Sequence, residues 1–404
     1  MIKHFFDRKN LFIRVAAGFV LGIILGLAAP SFSTATKVVG DIYLNLIKLM
    51  IIPIVICAVF CGIANIKDTA LLRKIGLRTV GLYVLMFASS SAVSLIIVFL
   101  LRPGRGMVLA KDVVFDSALA NTTVSGFFNT IVPSNIFKAL ADGSTLPVIL
   151  FTVIFAVAVL SIREKGRIII DFMNSLSEAF FRMLGYFMEL SPLGVMSLMA
   201  YSTAVYGGGI FSSLARYIFC CWACCIAVYF TVMVLPTCLI TGMNPARFIR
   251  ACGKISLVTL STTSSAATLP TTINVSVNDL GAPAEISAFT LPLGCTINMC
   301  GGACSFCCLA VFTADIYNLH LSLGTIVLMV AVATLINMAA PGIPGGGVIL
   351  GASFLSIFGL PFDVMALIGG FYRLLDMAFT TLNVLGDVSA NLIIAKSAED
   401  RIKA

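Results

Sequence analysis

The sequence predicts an all-α membrane protein with eight transmembrane helices and two helical hairpins that re-enter the membrane without crossing it. Its 404 residues are 59% hydrophobic and only 11% charged, whereas a soluble domain carries about 25% charged residues. Apolar segments recur along the whole chain, separated by basic segments. Since basic segments beside a membrane account for the net charge of +8, that charge gives no reason to expect a nucleic-acid partner.

The predicted spans alternate with polar connections. The first follows a basic amino terminus, and a secretory signal is the alternative, because GLAAPSFSTA offers small residues for cleavage. We favour a span, since the chain begins at Met1. The longest polar segment, 102–137, is expected to be an external loop. The spans are predicted at about 14–30, 38–65, 79–101, 136–161, 167–201, 211–241, 286–312 and 363–395.

Basic residues form five clusters between these spans. Placing all five in the cytoplasm satisfies the positive-inside rule, because an even number of crossings then separates successive clusters. Both termini are therefore expected in the cytoplasm and the protein in the cell membrane, although Arg102, Arg105 and Lys111 fall in the external loop. The clusters are the amino terminus, 67–78, 163–167, 247–254 and the tail.

Two apolar segments in the last third of the chain are interrupted by polar and helix-breaking residues. They are 256–280, around TTSSAATLP, and 323–360, around MAAPGIPGGG. Irregular backbone at membrane depth is tolerated only where it is buried or lines a cavity, and paired broken segments indicate a binding site. We interpret both as re-entrant hairpins with facing tips. Ordinary capping for the Ser/Thr run and a flexible loop for the Gly run are the alternatives.

A polar stripe marks the last predicted helix. Five polar residues recur at spacings of three and four, which places them on one helix face. Charged groups at membrane depth usually face a protein interior or a water-filled path. Two carboxylates, an amide, a hydroxyl and a guanidinium suit a cation and a zwitterion; the alternative is a salt-bridged stripe that only holds the helix in a bundle. The residues are Arg373, Asp376, Thr380, Asn383 and Asp387.

The histidines and cysteines offer little support for metal or redox chemistry. His4 and His320 are far apart, which argues against a His-based metal site or catalytic base. The thirteen cysteines include the clusters 220–225 and 300–308, both inside apolar runs. Buried Cys behaves as a small hydrophobe, so we favour small-residue packing over a metal or redox site and expect no disulfide framework.

Four motifs occur in the order found in one family of transporters. They are TSSAATLP (263–270), LPLGCTINM (291–299), PGIPGGG (341–347) and DMAFTTLNVLGD (376–387), with LIKLMIIP and LSEAFFRM earlier in the chain. Over nearly its whole length the chain resembles the glutamate-transporter-like dicarboxylate/amino acid:cation symporters.

The resemblance implies a homotrimer and an elevator motion of a transport domain against a scaffold. It implies scaffold spans 1 and 2 in residues 1–78 and transport-domain span 3 in 79–101. The external loop and scaffold spans 4 and 5 would occupy 102–205. The rest of the transport domain, with spans 6 to 8 and both hairpins, would occupy 211–395, before a cytoplasmic tail at 396–404.

The resemblance also implies where a substrate would bind. Asp376 is expected to receive a substrate ammonium, and Asn383 to hold a carboxylate together with the Ser265 backbone N–H. The hairpin tips and the last helix would line the pocket. The full set is Thr263, Ser264, Ser265, Gly302, Ile343, Gly347, Arg373, Asp376, Phe379, Thr380 and Asn383.

Two Na⁺ sites are implied in the same way. Hard oxygen ligands suit an alkali cation. One site would use the Asp387 carboxylate with carbonyls of Gly294, Asn298 and Asn383. The other would use carbonyls of Thr296, Asn337, Met338 and Ala340. A proton could replace Na⁺ at Asp376 or Asp387, and no organic cofactor is expected.

Departures from the family pattern favour a neutral amino acid as substrate. Phe379 stands where acidic-substrate members have Arg, and Gly302 where they have Thr. A second substrate carboxylate would then be buried without a partner. Arg373 leaves open the alternative of a dicarboxylate or acidic amino acid, unless it pairs with Asp376 or reaches a helix end. Cys300 replaces an Asp of the family's third cation site, which we therefore expect to be absent.

Two other classes of protein remain as alternatives. One is an uncoupled, channel-like pathway with the same fold. The other is a membrane enzyme, but no nucleophile–base–orienter set is apparent, and we expect no enzymatic activity. The expected partners are a small-molecule substrate and membrane lipid.

Overall fold

The computed structural model describes residues 11–64, 70–107, 132, 134–142, 145–206, 210–337, 346–361, 363–369 and 371–402. Across these residues the regular structure is entirely helical, in agreement with the predicted class. The helices of the first half are α1 (Leu11–Ala28), α2 (Pro30–Ala35), α3 (Lys37–Ala64), α4 (Ala70–Leu101), α5 (Ile136–Ala141), α6 (Thr145–Ser161), α7 (Arg167–Glu189) and α8 (Ser191–Tyr206).

The second half continues the same all-helical pattern. Its helices are α9 (Ile210–Val228), α10 (Leu235–Thr241), α11 (Pro245–Thr262), α12 (Ser265–Asn274), α13 (Ala284–Ile297), α14 (Cys300–Ile316), α15 (Leu323–Asn337), α16 (Gly346–Ile357), α17 (Asp363–Gly369) and α18 (Tyr372–Ile402). A π-helical segment, Tyr229–Val234, joins α9 to α10, and another, Val275–Asp279, extends α12.

Four helical stretches in the described part are long and apolar enough to cross a membrane: Arg78–Leu101, Ser212–Thr241, Ala284–Ile316 and Tyr372–Ala398. A bent pair, Arg163–Phe187 with Ser191–Val205, would make a fifth. Shorter apolar helices lie in the predicted first, second and fourth spans and at the second hairpin. A multi-pass membrane protein is therefore supported, while the count of eight spans stays a prediction.

Three segments predicted as continuous helices are broken. The fifth span bends by 51° between α7 and α8. The seventh is interrupted at Asn298 and Met299, between α13 and α14. The eighth divides into α17 and α18, and α18 then continues to Ile402, so most of the predicted tail is helical. The pattern of apolar residues does not reveal such breaks, because the helical turns on either side of each break are equally apolar.

The helices before α9, apart from α4, pack mainly with one another. α8 lies against α1, α2 and α3, and α3 lies against α6 and α7. Gly18, Gly22 and Gly26 recur every four residues along α1 and face α8. A Cβ at Gly22 would lie 2.5 Å from the Met196 carbonyl oxygen. The glycines thus let the two backbones approach closely, as small residues do between membrane helices.

The remaining helices gather around α18. It contacts α4 and each of α9 to α14. Hydroxyl and amide side chains join it to its neighbours: Thr237 to Ser389 at 2.6 Å, Thr259 to Thr381 at 2.8 Å, and Thr290 to the Asn391 side-chain amide oxygen at 2.6 Å. Buried polar groups need such partners, and these bonds fix the rotation of α18.

The two cysteine clusters meet between α9 and α14. The Cys308 thiol lies 3.7 Å from the Cys224 sulfur, and the Cys224 thiol donates to the Ser94 carbonyl oxygen at 3.7 Å. All thirteen cysteines are free thiols. The sulfur atoms of Cys220, Cys224 and Cys308 lie within 4.8 Å of one another. Small-residue packing, which is common for buried thiols, therefore stays a prediction, with a metal site as its alternative.

We predict that Gly22→Val destabilises the protein because its side chain would collide with the α8 backbone. Overpacking of this kind costs about 1–3 kcal/mol, so the thermal unfolding midpoint of the purified protein should fall by several degrees. Gly81→Val in α4 is the matched control, since a Cβ there meets nothing within 4 Å. Equal effects of the two substitutions would contradict the close approach of α1 to α8.

Candidate functional site

The first hairpin consists of α11 and α12, and its tip is built by capping chemistry. Thr263 adopts a left-handed conformation with φ of 48° and ends α11. Ser264 is extended, and its hydroxyl caps α12 by accepting the Ala267 N–H at 3.2 Å. The Ser/Thr run therefore caps the ends of helices, as the alternative interpretation predicts. It also buries Thr263, Ser264 and Ser265 at the start of a helix.

The predicted polar stripe is buried along α18. Asp376, Thr380, Asn383 and Asp387 are each at most 8% exposed. The Thr380 hydroxyl donates to the Asp376 carboxylate at 3.1 Å. Arg373 is only half-buried and turns toward the first hairpin, where its guanidinium donates to the Thr262 carbonyl oxygen at 3.3 Å. Arg373 thus reaches a helix end, one of the two outcomes foreseen for it.

Asn383 joins α18 to the break in the seventh span. Its side-chain amide oxygen accepts the Gly301 N–H at 2.6 Å, and its side-chain amide nitrogen donates to the Met299 sulfur at 3.2 Å. The Gly301 N–H lies in the first turn of α14 and has no partner within that helix. At membrane depth such a donor must be satisfied by the protein, and Asn383 provides the acceptor.

Asp387 holds the other side of the same break. Its carboxylate accepts the Asn298 amide N–H at 2.9 Å, while the Cys300 thiol donates to the Asn298 side-chain oxygen at 3.1 Å. Gly294 is required nearby, since a Cβ there would lie 2.6 Å from the Tyr83 hydroxyl and would also meet the Asp387 carboxylate. Three of the predicted cation ligands, Gly294, Asn298 and Asp387, are therefore brought together, and Asn383 lies one turn away on α18.

A cavity of about 50 Å³ lies where both hairpins meet α14 and α18. Its described lining contains one carboxylate, two amides, four hydroxyls and no basic side chain. The predicted site residues Ser265, Gly302, Gly347, Asp376, Phe379, Thr380 and Asn383 all line it, together with Met299, Ser305, Phe306, Asn337, Leu350 and Tyr372.

Three polar side chains of this cavity are absent from the sequence-based prediction: those of Ser305, Asn337 and Tyr372. Two of them fill space beside a glycine. A Cβ at Gly302 would collide with the Asn337 side-chain oxygen, so the Asn337 amide fills the space beside Gly302. A Cβ at Gly347 would collide with the Tyr372 hydroxyl in the same way. The sequence analysis predicts only a backbone carbonyl from Asn337 and predicts no role for Tyr372. In each case a glycine faces a large polar side chain from another helix. The sequence does not reveal such a pair, because its two residues are brought together only by the fold.

Some predicted residues cannot be compared with the structure. Ile343, Met338 and Ala340 lie outside the described residues. Thr296 lies in the last turn of α13, two residues before the break. The second hairpin is therefore described by its two arms, α15 and α16, which pack against each other.

Sequence comparisons with known proteins cover nearly the whole chain. The family model described as "Sodium:dicarboxylate symporter family" matches residues 11–397. A "C4-dicarboxylate transport protein" of Janthinobacterium sp. (strain Marseille) is 32% identical, covering 97% of this chain and 91% of the relative. Proteins with the same name are 33% identical in Solibacter usitatus, covering 97% and 93%, and 29% identical in Pseudomonas fluorescens (strain Pf0-1), covering 96% and 89%.

The match spans nearly the whole chain and includes both arms of each hairpin, the broken seventh span and α18. This protein therefore belongs to the sodium:dicarboxylate symporter family.

Proposed function

We propose that this protein is a symporter that moves a C4-dicarboxylate across the membrane together with Na⁺. The family relationship carries the choice of a dicarboxylate, and the cavity gives a physical reason for coupling to a cation. Asp376 is the charged group in its described lining, so a dianion entering alone would meet like charge in a poorly hydrated site. Cations bound nearby would offset that repulsion, which gives a physical reason for coupling. The family description and the relatives' names support the choice of substrate.

The polar lining offers partners for two carboxylates. One would be held by the Ser265 backbone N–H and Asn383, as the resemblance implies. The second would meet the Asn337 amide and the Tyr372 hydroxyl, which occupy the space beside Gly302 and Gly347. Arg373 follows Tyr372 directly and could contribute charge if its contact with Thr262 is exchanged for one with substrate.

The Na⁺ is proposed to bind at the Asp387 carboxylate, with carbonyls of Gly294, Asn298 and Asn383. A second ion would use carbonyls of Thr296 and of the second hairpin at Asn337, Met338 and Ala340. The short break connects Asn298, which bonds to Asp387, with Gly301, which bonds to Asn383. A cation at Asp387 would therefore also stabilise the position of Asn383 at the cavity. Such a shared element is the kind of physical link that coupling requires.

We further propose the larger arrangement implied by the family. The packing of α4 with α9, α14 and α18 supports a transport domain of 79–101 and 211–395. The packing of α1, α3, α6, α7 and α8 with one another supports a scaffold in 1–78 and 102–205. Re-entrant hairpins, elevator motion, a homotrimer in the cell membrane and cytoplasmic termini belong to this proposal.

A neutral amino acid is the second candidate substrate. The Asp376 carboxylate lies in the cavity beside Phe379, where acidic-substrate relatives carry Arg. A substrate ammonium would pair with that carboxylate, and its single carboxylate would need only the Ser265 and Asn383 groups.

We expect proteoliposomes to accumulate labelled succinate when an inward Na⁺ gradient is imposed. Asp387→Asn should lower this Na⁺-dependent uptake by about tenfold or more, because a neutral amide holds a buried cation poorly. Accumulation of serine or alanine instead of succinate would favour the second candidate. Uptake driven only by a proton gradient would refute the Na⁺ assignment, and gradient-independent flux would indicate a channel-like pathway.

Cys300 should affect cation affinity through Asn298. Its thiol donates to the oxygen of the Asn298 amide, so the amide nitrogen points to Asp387. Removing that bond in Cys300→Ala should raise the Na⁺ concentration for half-maximal uptake by about threefold to tenfold, as expected for one hydrogen bond. Cys300→Ser keeps a donor and should restore most of the affinity, while Cys238→Ala at a half-buried remote thiol is the control. If serine behaved like alanine, the orienting bond would be unimportant.

Arg373 separates the two substrate candidates. If its charge helps to hold a second carboxylate, Arg373→Gln should raise the KM for succinate by about tenfold. Arg373→Lys keeps the charge and should be milder. Uptake of a neutral amino acid, if it occurs, should change little. An equal loss for every substrate would show that Arg373 only supports the first hairpin through Thr262.

A further inference from the structure

A second, larger cavity lies at the base of the first hairpin, far along α11 from its tip. It has a volume of about 600 Å³ and is lined by the first turns of α11 and the end of the π-helical segment after α12. Its lining residues are Asn244, Ala246, Arg247, Arg250, Ala251, Lys254, Asn278 and Asp279. We call it the basal cleft.

The basal cleft is strongly positive. Arg247, Arg250 and Lys254 face a single carboxylate, that of Asp279. The Lys254 ammonium pairs with this carboxylate at 2.8 Å, and the Arg247 guanidinium donates to the Asp279 backbone carbonyl at 2.6 Å. Arg250 is exposed, and among the described residues it makes no ion pair. Two positive charges thus remain uncompensated in one concave site, which favours an anion.

The position of the basal cleft in the chain places it at the membrane surface. The stretch Ser212–Thr241, which is long and apolar enough to cross a membrane, ends three residues before Asn244. Leu239 and Ile240, in its last turn, are 74% and 50% exposed. Large apolar side chains exposed at the end of a span face the hydrocarbon, so a cleft just beyond them lies at the depth of the lipid headgroups.

The exposed face of α11 is cationic at one end and apolar at the other, as a match for the headgroup and acyl chains of a lipid requires. Arg247, Arg250, Lys254 and Leu257 follow at steps of three, four and three, which places them on one stripe. Leu257 is 73% exposed. It lies about 4.5 Å farther along the helix than Lys254, in the direction of the hairpin tip. The stripe therefore passes from cationic to apolar as it enters the membrane.

We propose that the basal cleft binds a phosphate-bearing anion, and that its occupant is the headgroup of an anionic phospholipid. The phosphate would meet Arg250 and share Lys254 and Arg247 with Asp279, while the acyl chains lie along Leu257. Arg and Lys are the side chains that suit phosphate oxygens. Free inorganic phosphate has the same headgroup chemistry, but it would not use the apolar end of the stripe.

The test uses the purified full-length protein in a neutral detergent. Native mass spectrometry would measure binding of phosphatidylglycerol and of phosphatidylcholine with the same acyl chains. The wild-type protein should prefer phosphatidylglycerol. Arg250→Gln should weaken that binding by about fivefold, the effect expected for one basic residue at a membrane surface. Arg250→Lys should keep most of it. Arg167→Gln, an exposed arginine at the start of α7, is the matched control.

The outcomes separate lipid from free phosphate. If inorganic phosphate raises the unfolding midpoint and displaces phosphatidylglycerol, with the same dependence on Arg250, the site exists but takes a soluble anion. Equal binding of the two lipids would overturn the proposal. So would indistinguishable results for Arg250→Gln and Arg167→Gln, because the basic residues would then serve membrane orientation alone. Unchanged unfolding midpoints of the unliganded variants would show that a loss of binding is not a loss of fold.

Discussion

The structure depends on a break in a buried helix that its neighbour must hold in place. Between α13 and α14 the chain leaves the helical path at Asn298 and Met299. Backbone groups exposed in this way are costly at membrane depth. Two side chains of α18 supply partners: Asn383 accepts the Gly301 N–H, and Asp387 accepts from the Asn298 side chain. This requirement accounts for two of the buried polar residues on α18.

The same break joins the two places where chemistry is expected. Asn383 lines the cavity between the hairpins, and Asp387 lies one turn farther along α18 beside Gly294 and Asn298. A ligand bound at Asn383 or at Asp387 would therefore contact side chains that hold the same short segment, Asn298 to Gly301. The first hairpin adds to this unit through its tip, where Thr262 receives Arg373. The proposed substrate and cation sites therefore share one helix, which is the kind of physical link that coupled transport requires.

Seven of the predicted substrate-binding residues line the cavity between the hairpins, and their roles stay predictions. The spacing of Asp376, Thr380, Asn383 and Asp387 predicted one buried face, and the interruptions near Ser264 and Gly347 predicted two hairpins. The sequence predicted continuous helices at 286–312 and 363–395, which the structure shows to be broken. It also favoured a neutral amino acid, because Phe379 and Gly302 stand where acidic-substrate members of the family have an Arg and a Thr for the second carboxylate. The family relationship favours a dicarboxylate. Asn337 fills the space beside Gly302, and in the proposed function its amide takes the part of the side chain that Gly302 lacks.

The class of protein and the buried polar stripe could be predicted from the sequence, because hydrophobicity, basic clusters and helical spacing are local properties of the chain. Other features became apparent only in three dimensions: Gly18, Gly22 and Gly26 face α8, Arg373 reaches Thr262, and Tyr372 lies against Gly347. Each of these depends on the distance between residues remote in sequence. Such distances are set by the packing of the whole bundle, and no local pattern records them.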